Sequence, residues 1–527
     1  MGGRIKRLSA EEAAISILPV LQDQRDITRD VDKAPASVVR VLKHILLLFS
    51  PAYIGLYLII ALCRIRYPFQ LEWMEGGVLE HVRRILSGEQ LYVRPSLDFI
   101  TFLYTPFYYY LSAAVSKATG FGFFPLRLVS LLSSLASLLF IFLIVKRETA
   151  SRFAAALAAG LFAATFHISG AWFDIGRVDM LFVALLLPCI YLIRFKESAY
   201  SLMLAGLLVS LSFLTKQLAL FISLPMAVYC LLVHRTRSLY FIGAVAGVFG
   251  ISTVLFTYLN DGWYLYYIFS SPRRLETLKN MLTYYWTHDL FFALPIACFL
   301  SLWYLVKRDI RSPKHRFFYT AIGIGMIGVP WLSRFKHGSY LNVPMPAYAF
   351  ISILFGIAIH DLFQWCSTLS RKRKTFAEIT TCCALLAQFS ILMYDPFPQI
   401  PGKNDLAAGR KIVDTLAQME GEVFIPYHGY LASLAGKRSY AHAMAVDDFL
   451  RTTGEPEIAQ FVCETEQALR EGAFSAVILD SDPLMTGWLR ERLQHYAVAT
   501  RPVFEDDSVF WPVTGLRTRP QLIYMLR

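Results

Sequence analysis

The feature that most constrains this chain is the series of long apolar stretches that fills its first three quarters. A membrane-spanning helix needs about 20 consecutive apolar residues, and roughly ten such stretches precede residue 395. Over all 527 residues, 56% are hydrophobic and the mean hydropathy is +0.46, which is too apolar for an ordinary soluble protein. The sequence therefore predicts an α-helical polytopic membrane protein, in which only residues 396 to 527 have the composition of a soluble segment.

The net charge of +12 is explained by membrane topology rather than by a nucleic-acid partner. The Lys and Arg residues fall mostly in short loops between apolar stretches, where basic residues mark the cytoplasmic side. We therefore expect a cytoplasmic N-terminal tail over residues 1 to 40 and no nucleic acid. The first span, at about 42 to 63, then runs outward.

About eleven spans account for the apolar stretches of the transmembrane region, residues 41 to 395. Residues 64 to 123 form an outer loop, with a short amphipathic helix near 76 to 87 and an aromatic helix near 104 to 118 at the membrane interface. An odd number of spans puts residues 396 to 527 outside the cytoplasmic (inner) membrane. The spans are expected near 42 to 63, 124 to 145, 153 to 172, 178 to 195, 199 to 215, 218 to 233, 239 to 259, 290 to 306, 317 to 333, 339 to 364 and 375 to 394.

The soluble segment alternates helical and strand patterns. Residues 407 to 419 and 455 to 471 have helical periodicity, residues 422 to 426 are extended, and residues 475 to 479 form a buried strand. The sequence therefore predicts a C-terminal extracytoplasmic α/β domain over residues 396 to 527.

Ionisable and polar residues gather at the outer ends of the predicted spans. Basic residues are expected to be scarce on that face, and clustered Arg and Lys suit a phosphate group. A carboxylate beside them can deprotonate a hydroxyl group, so the combination fits a transferase that takes a group from a lipid phosphate. These residues are Glu72, Glu75, Arg127, Asp174, Arg177, Asp179, Lys216, Gln217, Arg273, Arg274, Lys279, Arg334, Lys336, His337 and Tyr340.

Six short motifs follow one another between residues 70 and 346. They are Glu72-Trp73-Met74-Glu75-Gly76 with Gly88 and Tyr92 downstream, Tyr104-Thr105-Pro106-Phe107-Tyr108-Tyr109, Leu126-Arg127-Leu128, Arg177-Val178-Asp179-Met180, Gly206-Leu207-Leu208 through Leu214-Thr215-Lys216, and Lys336 with Tyr340-Leu341 and Pro344. In order and spacing they resemble the GT-C integral-membrane glycosyltransferases, a group that includes protein O-mannosyltransferases, lipid A aminoarabinose transferases and rhizobial galacturonosyltransferases. Two departures stand out: the family's adjacent Asp-Glu pair is replaced by two Glu residues three apart, and its Lys before Pro is Thr105.

The resemblance implies a GT-C fold and transfer of a single sugar, with inversion, from a polyprenyl-phosphate donor to a lipid, glycan or protein acceptor of the cell envelope. Glu75 or Glu72 would be the catalytic base. The donor phosphate would be bound by Arg177, Lys216, Lys336, Arg273 and Arg274, and the substrate cavity would include Asp179, Tyr104, Tyr340 and His337. A divalent metal ion at Glu75 and Asp179 is left open, and no other cofactor is implied.

The alternative from a different class is a transporter or flippase for a lipid-linked sugar. Such a protein is expected to place polar residues near the bilayer midplane, often in broken helices, whereas here they gather at span ends. A membrane anchor that only displays the soluble segment would not need so many spans. The sequence therefore favours the glycosyltransferase.

Overall fold

The computed structural model describes residues 10–307, 313–452, 456–481, 483–498 and 503–527. Side chains are described from Ser37 onward, apart from residues 456 and 483–486. The first nine residues of the expected N-terminal tail and residues 308–312 of the basic loop after the 290 to 306 stretch lie outside the described residues.

The apolar stretches form helices that pack into one bundle. Short π-helical stretches interrupt it at Tyr266–Ser270, Tyr285–Phe292 and Ile324–Gly328, and 3-10 turns lie at Arg235–Arg237 and Phe397–Gln399. In chain order the helices are α1 (Ala10–Arg64), α2 (Glu75–Leu86), α3 (Phe107–Thr119), α4 (Phe123–Thr149), α5 (Arg152–Ala164), α6 (Asp179–Phe195), α7 (Ala199–Thr215), α8 (Leu218–His234), α9 (Ser238–Leu259), α10 (Trp263–Leu265), α11 (Ser271–Arg274), α12 (Met281–Tyr284), α13 (Pro295–Val306), α14 (Pro313–Gly323), α15 (Val329–Arg334), α16 (Met345–Ser367) and α17 (Arg371–Ile391).

The two expected outer-loop helices are present as α2 and α3, but three expected spans differ from the prediction. The span expected over 290 to 306 is broken by a bend of 99° between Phe292 and Pro295, and two others have different limits. The helix expected over 153 to 172 ends at Ala164, because the following residues turn back through Gly170 (φ 72°) and Ala171 (φ 55°). The span expected from residue 339 begins only at Met345, after Pro344. In both places the freed residues form turns at the same end of the bundle, which is the end that carries the polar cluster.

Four helical segments of the described chain are long and apolar enough to cross a membrane: Ser37–Arg64, Phe123–Thr149, Leu218–Leu259 and Met345–Ser367. The bent pair Met281–Phe292 and Pro295–Val306 makes up to five, and the shorter apolar helices Arg152–Ala164 and Ala199–Thr215 add to the bundle. In an 18-residue apolar stretch of the segment Leu218–Leu259, only 6% of the residues are buried within the protein. An apolar surface so little covered by protein is stable against lipid rather than water, so the chain is a multi-pass membrane protein.

The C-terminal segment combines helices with a small mixed sheet. Its helices are α18 (Lys403–Gln418), α19 (Gly429–Leu434), α20 (Ala443–Leu450), α21 (Pro456–Arg470) and α22 (Pro483–Arg490). Strand β1 (Val423–Phe424) pairs in parallel with β2 (Ala476–Leu479), and β4 (Leu522–Leu526) is antiparallel to both β2 and β3 (Tyr496–Val498), which gives the order β1-β2-β4-β3. Part of this segment shares one apolar core with the helix bundle, since Tyr430 and Phe510 belong to the same buried cluster as Phe69 and Trp73.

Two buried ion pairs hold the end of α1 against its neighbours. Arg64 donates to both carboxylate oxygens of Asp174 at 2.8 and 2.6 Å, and Arg127 of α4 donates to both oxygens of Glu75 at 2.8 and 2.7 Å. Arg127 also donates to three backbone carbonyls between residues 64 and 69. A fully buried guanidinium is tolerated only when its N–H groups have acceptors, so these contacts fix α1, α2 and α4 relative to one another.

Replacement of Glu75 by Gln should destabilise the protein, because Arg127 would stay buried without its counter-charge. We expect the free energy of unfolding to fall by about 3–5 kcal/mol, measured by denaturant unfolding of the purified protein in mixed micelles. The control is Glu505→Gln, which removes a pair with Lys411 at 3.1 Å whose side chains are 71% and 88% exposed. That change should cost at most about 1 kcal/mol, and equal losses in the two variants would contradict a structural role for Glu75.

Candidate active site

The loop between α1 and α2 carries the two acidic residues, and Glu75 is the more fully bonded of the two. Besides Arg127, its carboxylate accepts the backbone N–H groups of Leu71 and Gly176, each at 2.7 Å. Burial alone would raise the pKa of Glu75, but Arg127 and these backbone donors hold it below the usual value. Glu75 is fully buried and its oxygens are taken up by the protein itself.

Glu72 lies in a different setting, one residue before Trp73. Its carboxylate accepts from Arg177 Nη1 at 2.8 Å and from the backbone N–H of Met74 at 3.1 Å. Burial is the largest influence on it and, with the nearby charge of Glu75, raises the pKa of Glu72 to about 7 against the opposing effect of Arg177. The second Arg177 amino group donates to the Tyr104 hydroxyl at 3.1 Å. The loop thus holds one firmly ionised acid and one whose charge changes near neutral pH.

A third buried pair joins the start of α6 to the end of α7. Lys216 Nζ donates to Asp179 Oδ1 at 2.6 Å, and Asn342 Nδ2 donates to the same oxygen at 2.8 Å. The other Asp179 oxygen has no hydrogen-bond partner, and Arg177 Nε lies 4.0 Å from it. Two antiparallel helices therefore bring these groups to one end of the bundle.

The expected metal ligands do not fit a divalent cation. Both oxygens of Glu75 receive the Arg127 guanidinium, while Asp179 is paired with Lys216. Among the described residues no group of three or more His, Cys, Asp or Glu side chains is arranged to hold a metal ion. A cation would have to displace two buried cationic side chains, Arg127 and Lys216.

A cavity of about 1110 Å³ opens beside these pairs, and its two ends differ in chemistry. The polar end includes Tyr104, Arg177, Lys216, Tyr340 and Asn342. The apolar end runs along α8 and the Ile324–Arg334 stretch, with Leu218, Leu220, Phe221, Leu224, Pro225, Ile324, Val329, Trp331 and Leu332. Neither Glu72 nor Glu75 lines the cavity, although Trp73 and Met74 between them do.

Arg273, Lys336 and His337 form the lip of the cavity. Lys336 Nζ donates to the carbonyls of Arg273 and Leu275 at 3.3 and 3.2 Å, and a β-bridge joins Thr277 to Lys336. The structure thus brings together all the expected donor-binding residues except Arg274, which lies next to Arg273 but does not line the cavity.

The C-terminal segment covers the acidic loop. Gln70 donates to His428 Nδ1 at 2.8 Å while His428 Nε2 lies 3.2 Å from Asp480, at the end of strand β2. His442 Nε2 lies 3.2 Å from the Trp73 carbonyl. Burial lowers the pKa of His442 to about 3, so the His442 side chain is neutral. The loop is therefore held from both sides, by α4 below and by the C-terminal segment above.

Three residues that line the cavity were not predicted from the sequence as site residues. Asp448 of α20 lines the cavity together with Met444. No sequence pattern relates Asp447-Asp448 to Arg177, because only the tertiary packing of α20 brings Asp448 to the cavity. The tryptophans Trp73 and Trp172 were missed for the same reason.

Comparison with known proteins shows a family match over part of the chain and a similarity of fold over most of it. Residues 104–259 match the family of dolichyl-phosphate-mannose-protein mannosyltransferases. No curated protein matches the sequence. The fold is similar to crystal structures of ArnT from Cupriavidus metallidurans, one bound to undecaprenyl phosphate (TM-score 0.59) and one in the apo state (TM-score 0.58). Both are 13% identical to this chain, and each alignment covers 90% of this chain and 97% of ArnT.

The fold similarity spans nearly the whole chain, while the family match covers the outer-loop helix α3 through α9, the region that carries Tyr104, Arg177 and Lys216. Together with the multi-pass architecture, these findings agree with the order of motifs in the sequence. The chain therefore has the fold of the ArnT structures, and over residues 104–259 its sequence is similar to the dolichyl-phosphate-mannose-protein mannosyltransferases.

Proposed function

We propose that this protein transfers a single sugar from a polyprenyl-phosphate donor to an acceptor at the outer face of the cytoplasmic membrane. The observation that carries the proposal is the cavity of about 1110 Å³, which is cationic at one end and apolar at the other. A lipid phosphate has the same division, with an anionic head and a hydrocarbon tail.

The head of the donor is proposed to bind Arg177 and Lys216. Arg177 Nε has no hydrogen-bond partner, and the Lys216 ammonium has three donors, of which one goes to Asp179. Guanidinium and ammonium groups both suit phosphate oxygens. Arg273 and Lys336 at the lip would add positive charge, and Arg274 would act only through the local field.

The tail of the donor is proposed to lie along the apolar end of the cavity, between α8 and α15. Phe221 and Leu224 of α8 face this space, as do Val329 and Leu332 of α15. Each methylene group buried there contributes about 0.8 kcal/mol. The similar fold of ArnT, solved with undecaprenyl phosphate bound, supports a donor of this class.

Glu72 is proposed as the catalytic base, with Glu75 as its structural support. Glu75 has no free oxygen to offer, whereas Glu72 shares Arg177 with the proposed phosphate site. When the phosphate takes over Arg177, Glu72 is released to accept the proton of the acceptor hydroxyl. That oxygen then bonds to the anomeric carbon, and the bond from this carbon to the phosphate oxygen breaks with inversion. The phosphate leaves with the electron pair, stabilised by Arg177 and Lys216.

The acceptor is proposed to be a lipid, glycan or protein of the cell envelope. The basic loops 146–147, 235–237 and 371–374 lie at the end of the bundle opposite the cavity. Because basic loops face the cytoplasm, the cavity would face the outer side, where such acceptors lie. Comparing cell-envelope lipids and glycans by mass spectrometry before and after deletion of the gene would identify both sugar and acceptor.

The flippase alternative receives less support. Its substrate path would need polar groups along the membrane interior, whereas the buried pairs of Glu72, Glu75 and Asp179 all lie at one end of the bundle. Purified protein given labelled polyprenyl-phosphate sugars and an envelope extract should form a new glycosidic bond. Movement of the label across vesicles without such a bond would refute the proposed transfer.

Replacement of Lys216 by Gln should weaken the binding of undecaprenyl phosphate by at least about tenfold, since a charge-assisted contact to the phosphate is lost. Microscale thermophoresis of the purified protein in detergent measures this affinity. Arg273→Gln, at the exposed lip, should show a smaller loss without any effect on folding, and Lys411→Gln, which does not line the cavity, should bind like the wild type. The same affinity for Lys216→Gln and Lys411→Gln would contradict the assignment.

The rate of transfer should rise with pH through about 7, because Glu72 is protonated below its raised pKa and acts as a base only above it. Arg177, Glu75 and Tyr340 are the charged or titratable groups that face it. The contribution of Glu72 to folding stability depends on pH in the opposite direction. It is present below the ordinary Glu pKa and is lost as the pH rises through 7. The measurement is the pH profile of kcat/KM.

Glu72→Gln should lack transfer activity at every pH while still binding undecaprenyl phosphate. Asp448→Asn serves as the control for the profile, since the pKa of Asp448 is also raised to about 7 by burial. The rise near pH 7 should persist in this variant. Its disappearance there, with Glu72→Gln still active, would move the base away from Glu72.

A further inference from the structure

Helix α20 of the C-terminal segment brings a carboxylate to the cavity. Among the described residues that line the cavity, Asp448 is the one carboxylate, whereas the cationic side chains there are Arg177, Lys216, Arg273 and Lys336. Met444, one helical turn earlier, lines the cavity too, which is consistent with one face of α20 being turned toward it.

Asp448 has the charged neighbours Asp447, His337 and Arg451, but no hydrogen-bond donor among the described residues. Within the described part of the chain it makes no hydrogen bond and no ion pair, whereas its neighbour Asp447 accepts from Arg451 Nε at 2.9 Å and lies 3.6 Å from His337. A carboxylate in a partly enclosed position loses solvation unless a donor replaces water. Burial, reinforced by Asp447, raises the pKa of Asp448 to about 7, which reflects that lost solvation. The side chain is thus an acceptor available to a ligand.

Aromatic side chains line the same cavity as this carboxylate. The Tyr340 ring stacks on Trp172 at 5.5 Å and meets the edge of Trp73 at 4.8 Å, and all three line the cavity. The indole N–H groups of Trp73 and Trp172 have no hydrogen-bond partner. The polar end therefore offers a carboxylate acceptor and flat aromatic surfaces. A sugar ring has the matching chemistry, with hydroxyl groups at its edge and C–H groups on its faces.

We propose that Asp448 accepts hydrogen bonds from hydroxyl groups of the transferred sugar, so that the C-terminal segment takes part in donor recognition. The inference rests on the proposed function. The bare phosphate is a poor ligand for this residue, because two anions repel each other in a partly dehydrated site. The sugar is covalently attached to the phosphate that Arg177 and Lys216 are proposed to bind. It would therefore lie in the polar end of the cavity, which α20 also lines.

The position of Asp448 is fixed relative to the acidic loop. His442 caps α20 by accepting the backbone N–H of Met444 at 3.1 Å, and its other ring nitrogen contacts the carbonyl of Trp73. At the far end of α20, Arg451 Nη1 lies 3.8 Å from Glu276, which follows the lip residue Arg273 by three positions. A recognition residue held from both ends discriminates among hydroxyl patterns better than one on a mobile loop.

The test uses the purified full-length protein in detergent, with two kinds of probe. One is undecaprenyl phosphate, and the other is a panel of undecaprenyl-phosphate hexoses and pentoses. The wild type should bind at least one sugar-bearing lipid more tightly than the bare phosphate. Asp448→Asn and Asp448→Ala should keep the affinity for undecaprenyl phosphate and lose about tenfold for the preferred sugar lipid. Asp414→Asn, an exposed carboxylate on α18, should behave like the wild type in both measurements.

The possible failures are distinguishable. If the wild type does not bind undecaprenyl phosphate at all, the proposed function fails. If it binds that lipid but no sugar-bearing lipid binds more tightly, or if the Asp448 variants retain the preference, the inference about Asp448 is overturned while the proposed function stands. An Asp448→Asn variant that keeps its sugar-lipid affinity but loses kcat would also overturn it, since Asp448 would then be the base. Unchanged melting temperatures in both Asp448 variants exclude misfolding as the cause.

Discussion

The buried pair of Glu75 with Arg127 is the interaction on which the rest of the site depends. The two side chains are fully buried, both carboxylate oxygens face the guanidinium, and the remaining donors of Arg127 go to the backbone that follows α1. Glu75 in turn accepts the N–H of Gly176, next to Arg177. One pair therefore connects the end of α1, the acidic loop, α4 and the turn before α6. Removing either charge leaves the other buried and unpaired, which is much more costly than the pair itself is stabilising.

The charged side chains near this pair differ in how many of their polar atoms have partners within the protein. Arg64 with Asp174 and Arg127 with Glu75 are closed pairs. Around the cavity the balance is incomplete. Arg177 Nε and one oxygen of Asp179 have no hydrogen-bond partner, and no described residue donates a hydrogen bond to Asp448, although His337 and Arg451 act on its charge. Unsatisfied polar groups are costly in a folded protein and are retained where a ligand completes them. In our account the donor phosphate and its sugar do so.

Much of this architecture could be predicted from the sequence, and the limits have physical causes. Apolar length and the outer motifs led to the helix bundle, to α2 and α3, and to Arg177, Lys216 and Lys336 at one cavity. The predicted length of α5 was wrong, because the chain reverses direction at Gly170 and Ala171 although the sequence there is still apolar. The roles of Glu72 and Glu75 stayed open because they differ only in their partners, Arg177 and Arg127, which lie on other segments. Asp448 could not be found, since only tertiary packing brings α20 to the cavity.

The most direct test of the account is a cryo-EM structure of the protein in a lipid nanodisc with undecaprenyl phosphate added. We predict phosphate density between Arg177 and Lys216, a changed Arg177 contact to Glu72, and hydrocarbon density along Phe221 and Leu224 of α8 toward Leu332. A phosphate bound elsewhere, or a cavity that stays free of lipid at saturating concentration, would contradict the central claim that this cavity is the donor site.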